Sequence, residues 1–234
     1  MKNIATIGAI LMSCCSLAQA QGTAADPFRE GFHYFKLNQA AQARTSDVVV
    51  VTELFSYGCH ACNEFEPFMQ SWKDRQAGDV KLNRIPVAFG RNAWELLAKG
   101  YLIAEIMGIE EEAHVPLMNA IWKDRRQMRT IEDLADFYAE QGADRDKYLA
   151  LDNGFMLNMR QKQNKDKLGI YSPRGTPTMI VNGEYKIQTG QAVPNYQAML
   201  AVVDFLVARE RAVIASAAAE GGTESTPPVT TAEN

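Results

Sequence analysis

An α/β domain interrupted by an α-helical insertion is the fold class that the sequence predicts, on three observations. The near-continuous β-branched and apolar run from Val48 to Phe55 reads as a strand buried on both faces. The stretch from Asn92 to Lys167 holds little except helix-compatible sequence. Asn182-Gly183, set between two short strand-like runs, is the strongest two-residue hairpin signal.

The elements follow in order. Ala24 to Asp47 is a mixed lead-in in which Phe32 to Leu37 reads as an edge strand. Val48 to Phe55 is the buried strand, and Ser56-Tyr57-Gly58-Cys59 turns the chain. From His60 to about Gln76 the apolar residues Phe65, Phe68, Met69 and Trp72 recur at helical spacing, which puts Cys59 at a helix N-terminus. Asp79 to Val87 is a second strand. Four helices are expected in the insertion: Trp94 to Met107, Val115 to Lys123, Ile131 to Gln141 and Arg145 to Asn164. Ser172 to Pro177 breaks the pattern, Thr178 to Val181 and Glu184 to Gln188 form the hairpin, and Tyr196 to Arg209 closes the fold as an amphipathic helix. Past Arg211 the small and polar composition predicts a disordered tail, 211–234. No internal repeat is present. Strand, helix, strand, helical block, hairpin, helix is the order of a thioredoxin-like fold carrying an inserted α-helical subdomain. The thioredoxin-like domain is then discontinuous, 21–91 with 168–210, and the insertion is 92–167.

The 234 residues, 47% hydrophobic, suffice to bury a core without disulfide staples. A net charge of -4 with no dense basic cluster excludes nucleic acid as a partner. Met1-Lys2, the uncharged run Ile4 to Leu17 and the small-x-small site Ala18-Gln19-Ala20 read as a cleaved export signal, 1–20, leaving Gln21 first. The apolar run is shorter than the roughly 18–20 residues needed to span a bilayer. The alternative is a lipobox at Leu11-Met12-Ser13-Cys14, which would tether the chain at Cys14. Either route ends outside the cytoplasm.

Removing the signal takes away Cys14 and Cys15 and leaves Cys59 and Cys62. Two cysteines scattered over the mature chain fall three apart in roughly 1% of arrangements, so the spacing is a signal. Thiol exchange needs a thiolate, and a cysteine at a helix start faces unpaired backbone N–H groups and the positive end of the helix dipole. Cys59 is therefore the attacking or attacked sulfur, and Cys62, one turn into the helix, is the resolving thiol. Three other readings compete. A zinc site needs two further ligands, with only His33, His60 and His114 available at irregular spacing. Haem attachment needs His after the second cysteine, where Asn63 stands. A purely structural disulfide over so short a span constrains the unfolded chain little.

Phe55-Ser56-Tyr57-Gly58-Cys59-His60-Ala61-Cys62-Asn63-Glu64-Phe65-Glu66, followed after the helical block by Arg174-Gly175-Thr176-Pro177-Thr178-Met179-Ile180-Val181-Asn182-Gly183, resembles the DsbA family of periplasmic thiol:disulfide oxidoreductases. The similarity runs from about Asp47 to Arg209. It implies a cis-proline at Pro177 opposite the disulfide, with the Thr176 backbone pairing with an extended substrate. It also implies that Glu53 lies under the active site, desolvated, raised in pKa and suited to moving the Cys62 proton. The alternative for Glu53 is a side chain facing solvent. His60, beside Cys59, would favour the thiolate if protonated; a solvated helix-start histidine is the other reading. Two departures bear on oxidising strength: the best-known members carry Pro-His where this chain has His60-Ala61, and many strong oxidants carry Val where it has Thr176. The resemblance implies no cofactor beyond the redox-active disulfide and no metal. Its partners are reduced, unfolded exported proteins and a quinone-linked inner-membrane oxidase of the DsbB type, in the periplasm of a Gram-negative bacterium. Two other functions compete, a disulfide isomerase or reductase and a non-catalytic peptide-binding chaperone. Such isomerases often carry an N-terminal dimerisation domain, for which the residues before Cys59 leave no room, so an oxidase is favoured over them; a monomer is expected.

Overall fold

The computed structural model describes residues 26–38 and 47–221. The expected export signal with Cys14, and the chain beyond Gly221, lie outside the described residues. In chain order the elements are β1 (Phe35–Lys36), β2 (Val49–Phe55), α1 (His60–Asp74), β3 (Val80–Pro86), α2 (Asn92–Met107), α3 (Glu110–Trp122), α4 (Ile131–Glu140), α5 (Arg145–Ala150), α6 (Phe155–Tyr171), β4 (Thr178–Val181), β5 (Tyr185–Gln188) and α7 (Tyr196–Gly221).

The five strands lie in the order β1-β5-β4-β2-β3. β2 runs parallel to β3, and β4 is antiparallel to β2 and β5. A parallel pair needs a crossover, and α1 supplies it. Because successive side chains on a strand point to opposite faces, β2 serves two layers. Val49 and Val51 pack with Met179 and Val181 of β4 against Phe65, Met69 and Trp72 of α1 and Val202, Val203 and Leu206 of α7. Leu54 and Ile180 face the other way, toward Tyr171 at the end of α6. The insertion has its own core, which reaches back to Phe55, Tyr57 and Cys62. Active-site helix and insertion are thus one packed unit at the C-terminal end of β2.

The hairpin turn is closed by the Glu184 N–H donating to the Val181 carbonyl at 2.9 Å. Asn182 and Gly183 both take positive φ, +49° and +67°, which the Asn-Gly pair tolerates and most residues do not.

The first strand is shorter than expected, Phe35–Lys36 within Phe32 to Leu37, and four boundaries differ by more than three residues. α3 starts at Glu110 rather than Val115, because Glu110, Glu111 and Glu112 form a first turn that the helix dipole favours. The helix expected from Arg145 to Asn164 is two helices, broken where Asn153 takes φ +59° and Gly154 caps α6. α6 continues to Tyr171 and ends at Ser172 in the left-handed region, so a domain boundary at Lys167 falls inside a helix. α7 runs to Gly221, well past Arg211. Low apolar content there signalled weak packing, but the alanines at 212, 215 and 217–219 favour helix without it. No helix among the described residues is long and apolar enough to cross a membrane.

Candidate active site

Cys59 is the N-cap of α1, with extended backbone at φ -97° and ψ 116°. It is partly exposed, Cys62 is fully buried, and both are free thiols. Pairing of β4 with β2, in which Thr178 lies opposite Leu54, brings the preceding loop to the start of α1. There the Thr176–Pro177 peptide is cis, and in its thiol form the Cys59 Sγ donates to the Thr176 carbonyl at 3.4 Å.

The two sulfurs differ in proton affinity. A hydrogen bond from the Cys62 thiol pulls the Cys59 pKa down to about 5, against the cost of partial burial, helped by the Thr176 side chain and the N–H groups of Cys62 and Ala61. At neutral pH its thiolate outnumbers its thiol by roughly a hundred to one. Burial pushes the Cys62 thiol far up, reinforced by Cys59 and by the charge of Glu53.

Glu53 shares the parity of Val49 and Val51 on β2, so the strand aims it at α1 beneath the cysteines. Its side chain is fully buried. Burial raises its pKa to about 7, the Arg84 guanidinium opposing and the Glu66 carboxylate adding to the rise. Arg84, its register partner on β3, donates from Nε to Oε2 at 3.1 Å, while Oε1 has no partner among the described residues. The solvent-facing alternative is therefore excluded.

His60 stands apart from this group. Its imidazole is exposed, lies 3.7 Å from Glu64, and meets the Trp122 ring edge-on at 5.1 Å. The groups that most lower Cys59 are Cys62, Thr176 and backbone N–H donors.

Several residues around the site were not singled out from the sequence. Arg84 also donates to Glu66 at 3.3 Å and to Glu111 at 3.0 Å. Glu66 lies 3.1 Å from His114 Nε2, and the Tyr57 hydroxyl 3.0 Å from His114 Nδ1. Trp122 Nε1 donates to the Tyr57 carbonyl at 2.8 Å. Trp94 lies so close to Gly58 that a Cβ there would sit 2.3 Å from its indole nitrogen. One available signal was the placement of Glu66 on the helical face of Cys62, four positions along. Glu53, Glu66 and His114 offer ligand atoms within 4.8 Å of one another. The Arg84 guanidinium already bonds both carboxylates, so the positive charge of this cluster is an arginine.

The model of the DsbA-like thioredoxin domain matches residues 50–201. The thiol:disulfide interchange protein DsbA of Pseudomonas aeruginosa is 33% identical over 205 residues, covering 87% of this chain and 96% of that protein. Its namesake in Pseudomonas syringae is 33% identical over 217 residues, covering 93% and 100%. The crystal structure of Pseudomonas aeruginosa DsbA superposes with a TM-score of 0.73 at 33% identity, over 81% of this chain and 97% of that one. That of DsbA from Xylella fastidiosa gives 0.70 at 32% identity, over 77% and 96%. With its sheet, its inserted helices and its Cys-x-x-Cys at the head of α1, the chain belongs to the DsbA-like thioredoxin-domain family of thiol:disulfide oxidoreductases.

Proposed function

We propose that the oxidised Cys59–Cys62 pair is donated to reduced, unfolded exported proteins through a mixed disulfide on Cys59. A substrate thiolate attacks the Cys59 Sγ, the Cys59–Cys62 bond breaks, and a substrate–Cys59 disulfide forms. The departing Cys62 sulfur takes up a proton, which its burial demands, and Glu53 beneath it is the donor. A second substrate thiolate then attacks the substrate sulfur. Cys59 leaves as a thiolate, the substrate carries the new disulfide, and the protein holds the two electrons as a dithiol. Recycling falls to a quinone-linked oxidase of the DsbB type.

The observation that carries this reading is the split between the two thiols, with Cys59 at about 5 and Cys62 far above the usual range. A stable Cys59 thiolate is a good leaving group from the mixed disulfide, stabilises the reduced form and makes the Cys59–Cys62 disulfide an oxidant. The substrate chain lies extended along the Thr176 backbone, beside a groove of about 580 Å³ walled by Phe32, Phe35, Pro177 and Val193. The chain works as a monomer in the periplasm of a Gram-negative bacterium, after cleavage of residues 1–20 or anchored at Cys14. It needs no metal and no cofactor beyond its disulfide.

Replacing Cys59 by Ala tests the mechanism. Oxidation of a reduced test protein should be lost while binding of an unfolded peptide persists. Unchanged oxidation would overturn the thiol mechanism, whereas peptide capture with full biological activity would favour a chaperone.

A further inference from the structure

His114 is fully buried in the core of the insertion, and neither ring nitrogen is idle. Nε2 meets Glu66 Oε2 at 3.1 Å and Nδ1 meets the Tyr57 hydroxyl at 3.0 Å. The ring is set edge-on against Phe55 with centroids 4.9 Å apart. Burial and the nearby Arg84 charge hold its pKa below the ordinary value against the pull of Glu66, so at neutral pH the imidazole is neutral. A neutral imidazole has one donor and one acceptor. Ionised Glu66 can only accept, so the proton is on Nε2, and the Tyr57 hydroxyl donates to Nδ1.

The partners on each side lead to the reacting sulfurs. Burial works against ionisation of Glu66, yet His114, Arg84 and Gln70 hold its pKa below the ordinary value. Its other oxygen takes Arg84, which turns its Nε to Glu53. On the far side Tyr57 lies two residues before Cys59, and its carbonyl is held by Trp122, two turns along α3 from His114.

We propose that His114 is a positioning residue of the disulfide exchange. Through Glu66 and Arg84 it sets the charge facing the buried Glu53, and through Tyr57 it fixes the turn that presents Cys59. The inference rests on Glu53 serving as the Cys62 proton donor. The groups facing His114 are Glu66 from α1, Arg84 from β3, Glu111 on α3 itself, Tyr57 from the turn and Tyr101 from α2. Only Glu66 takes a hydrogen bond from its ring, so loss of that donor raises Glu66 first. Glu53 and Glu66 face the same Arg84, so a Glu66 with one donor fewer takes a larger share of the proton the pair contends for, the charge facing Glu53 is reduced, and the proton affinity of Glu53 falls.

The experiment is the pH profile of single-turnover oxidation of a cysteine peptide of known thiol pKa, the peptide's own ionisation being divided out. In the native protein the rate falls as Glu53 loses its proton. His114→Leu should lower that midpoint by about one pH unit, the size expected when one neighbouring buried charge is lost. His114→Asn, which keeps a polar group toward Tyr57 and withdraws the donor from Glu66, should do the same and stands in if the leucine variant does not fold. His114→Gln, whose amide restores a donor to Glu66, should return the midpoint to its native place. Glu53→Gln is measured alongside. A midpoint that vanishes in Glu53→Gln but does not move in His114→Leu or His114→Asn overturns the proposal for His114 alone. A profile that neither Glu53→Gln nor the His114 variants alter overturns the Glu53 reading and the proposal with it.

Discussion

Burial by the insertion separates two chemically identical thiols: it leaves Cys59 at the surface, facing backbone donors, and closes over Cys62. The same coverage acts on Glu53, whose pKa of about 7 against an ordinary 4.5 has a consequence for stability. A carboxyl that holds its proton more tightly when folded supports the fold fully below its unfolded pKa and loses that support as pH rises through the folded one. The window is therefore pH 4.5 to 7, and the loss is on the order of 2–3 kcal/mol in the dithiol form. His114 and Cys59, both depressed, act in the opposite sense within overlapping windows, so the informative quantity is a difference. Denaturant unfolding of the reduced protein and of Glu53→Gln at about pH 5 and about pH 8 should show the native chain losing ground against the variant by that amount. Equal differences at the two values would mean that Glu53 does not titrate in this range. The cysteine pair was legible in the sequence because its spacing is local. Glu53 was reached only through family resemblance, His114 only as one of three histidines open to a zinc site, and Arg84 not at all. Their roles depend on strand register and on the insertion folding back, neither of which sequence spacing encodes.

At the scale of elements, the turn between β2 and α1 is gripped from two sides by the insertion. α3 holds it through His114 and Trp122, and the start of α2 holds it through the Trp94 indole lying on Gly58. The exposed Arg91 guanidinium stacks over the Trp94 ring at 4.4 Å, a contact that displacing the indole would disturb. Gly58→Ala should therefore displace Trp94, costing roughly 1–3 kcal/mol as overpacking does. It should also shift the pH midpoint of the Cys59 thiolate absorbance, since the displaced turn carries the N-cap. Adding Trp94→Ala should recover part of the stability, which equilibrium unfolding of the single and double variants would reveal. A Gly58→Ala protein as stable as the native chain would show that α2 does not constrain the turn. The helices themselves were legible from periodicity. The break at Asn153-Gly154 and the early start of α3 were not, because a left-handed residue and an acidic first turn are local backbone effects that apolar spacing does not register.

Across the whole molecule, the last helix ties the end of the sheet that lies away from the cysteines. The Asp79 carbonyl accepts from the Val49 N–H at 2.8 Å, and the Asp79 carboxylate takes both Nε and NH2 of Arg211 at 2.6 and 2.8 Å. One residue thus fastens the start of β2, the entry to β3 and the far turns of α7, and Ile214 packs partly against the same core. Reading composition alone placed the end of the fold near Arg211, because alanine contributes helix propensity without the apolar bulk by which packing is recognised. The physical difference is measurable. A chain ending at Glu210 loses the Arg211 pair and the Ile214 contact, the latter about 1 kcal/mol for a partly buried aliphatic side chain. It should unfold at lower denaturant than a chain ending at Gly221. Because the lost contacts lie at the N-terminal end of β2 and the cysteines follow its C-terminal end, the Cys59 thiolate midpoint should be the same in both chains. Equal unfolding midpoints would show that α7 past Glu210 adds nothing to the fold. A shifted thiolate midpoint would show instead that the two ends of the sheet are coupled through β2.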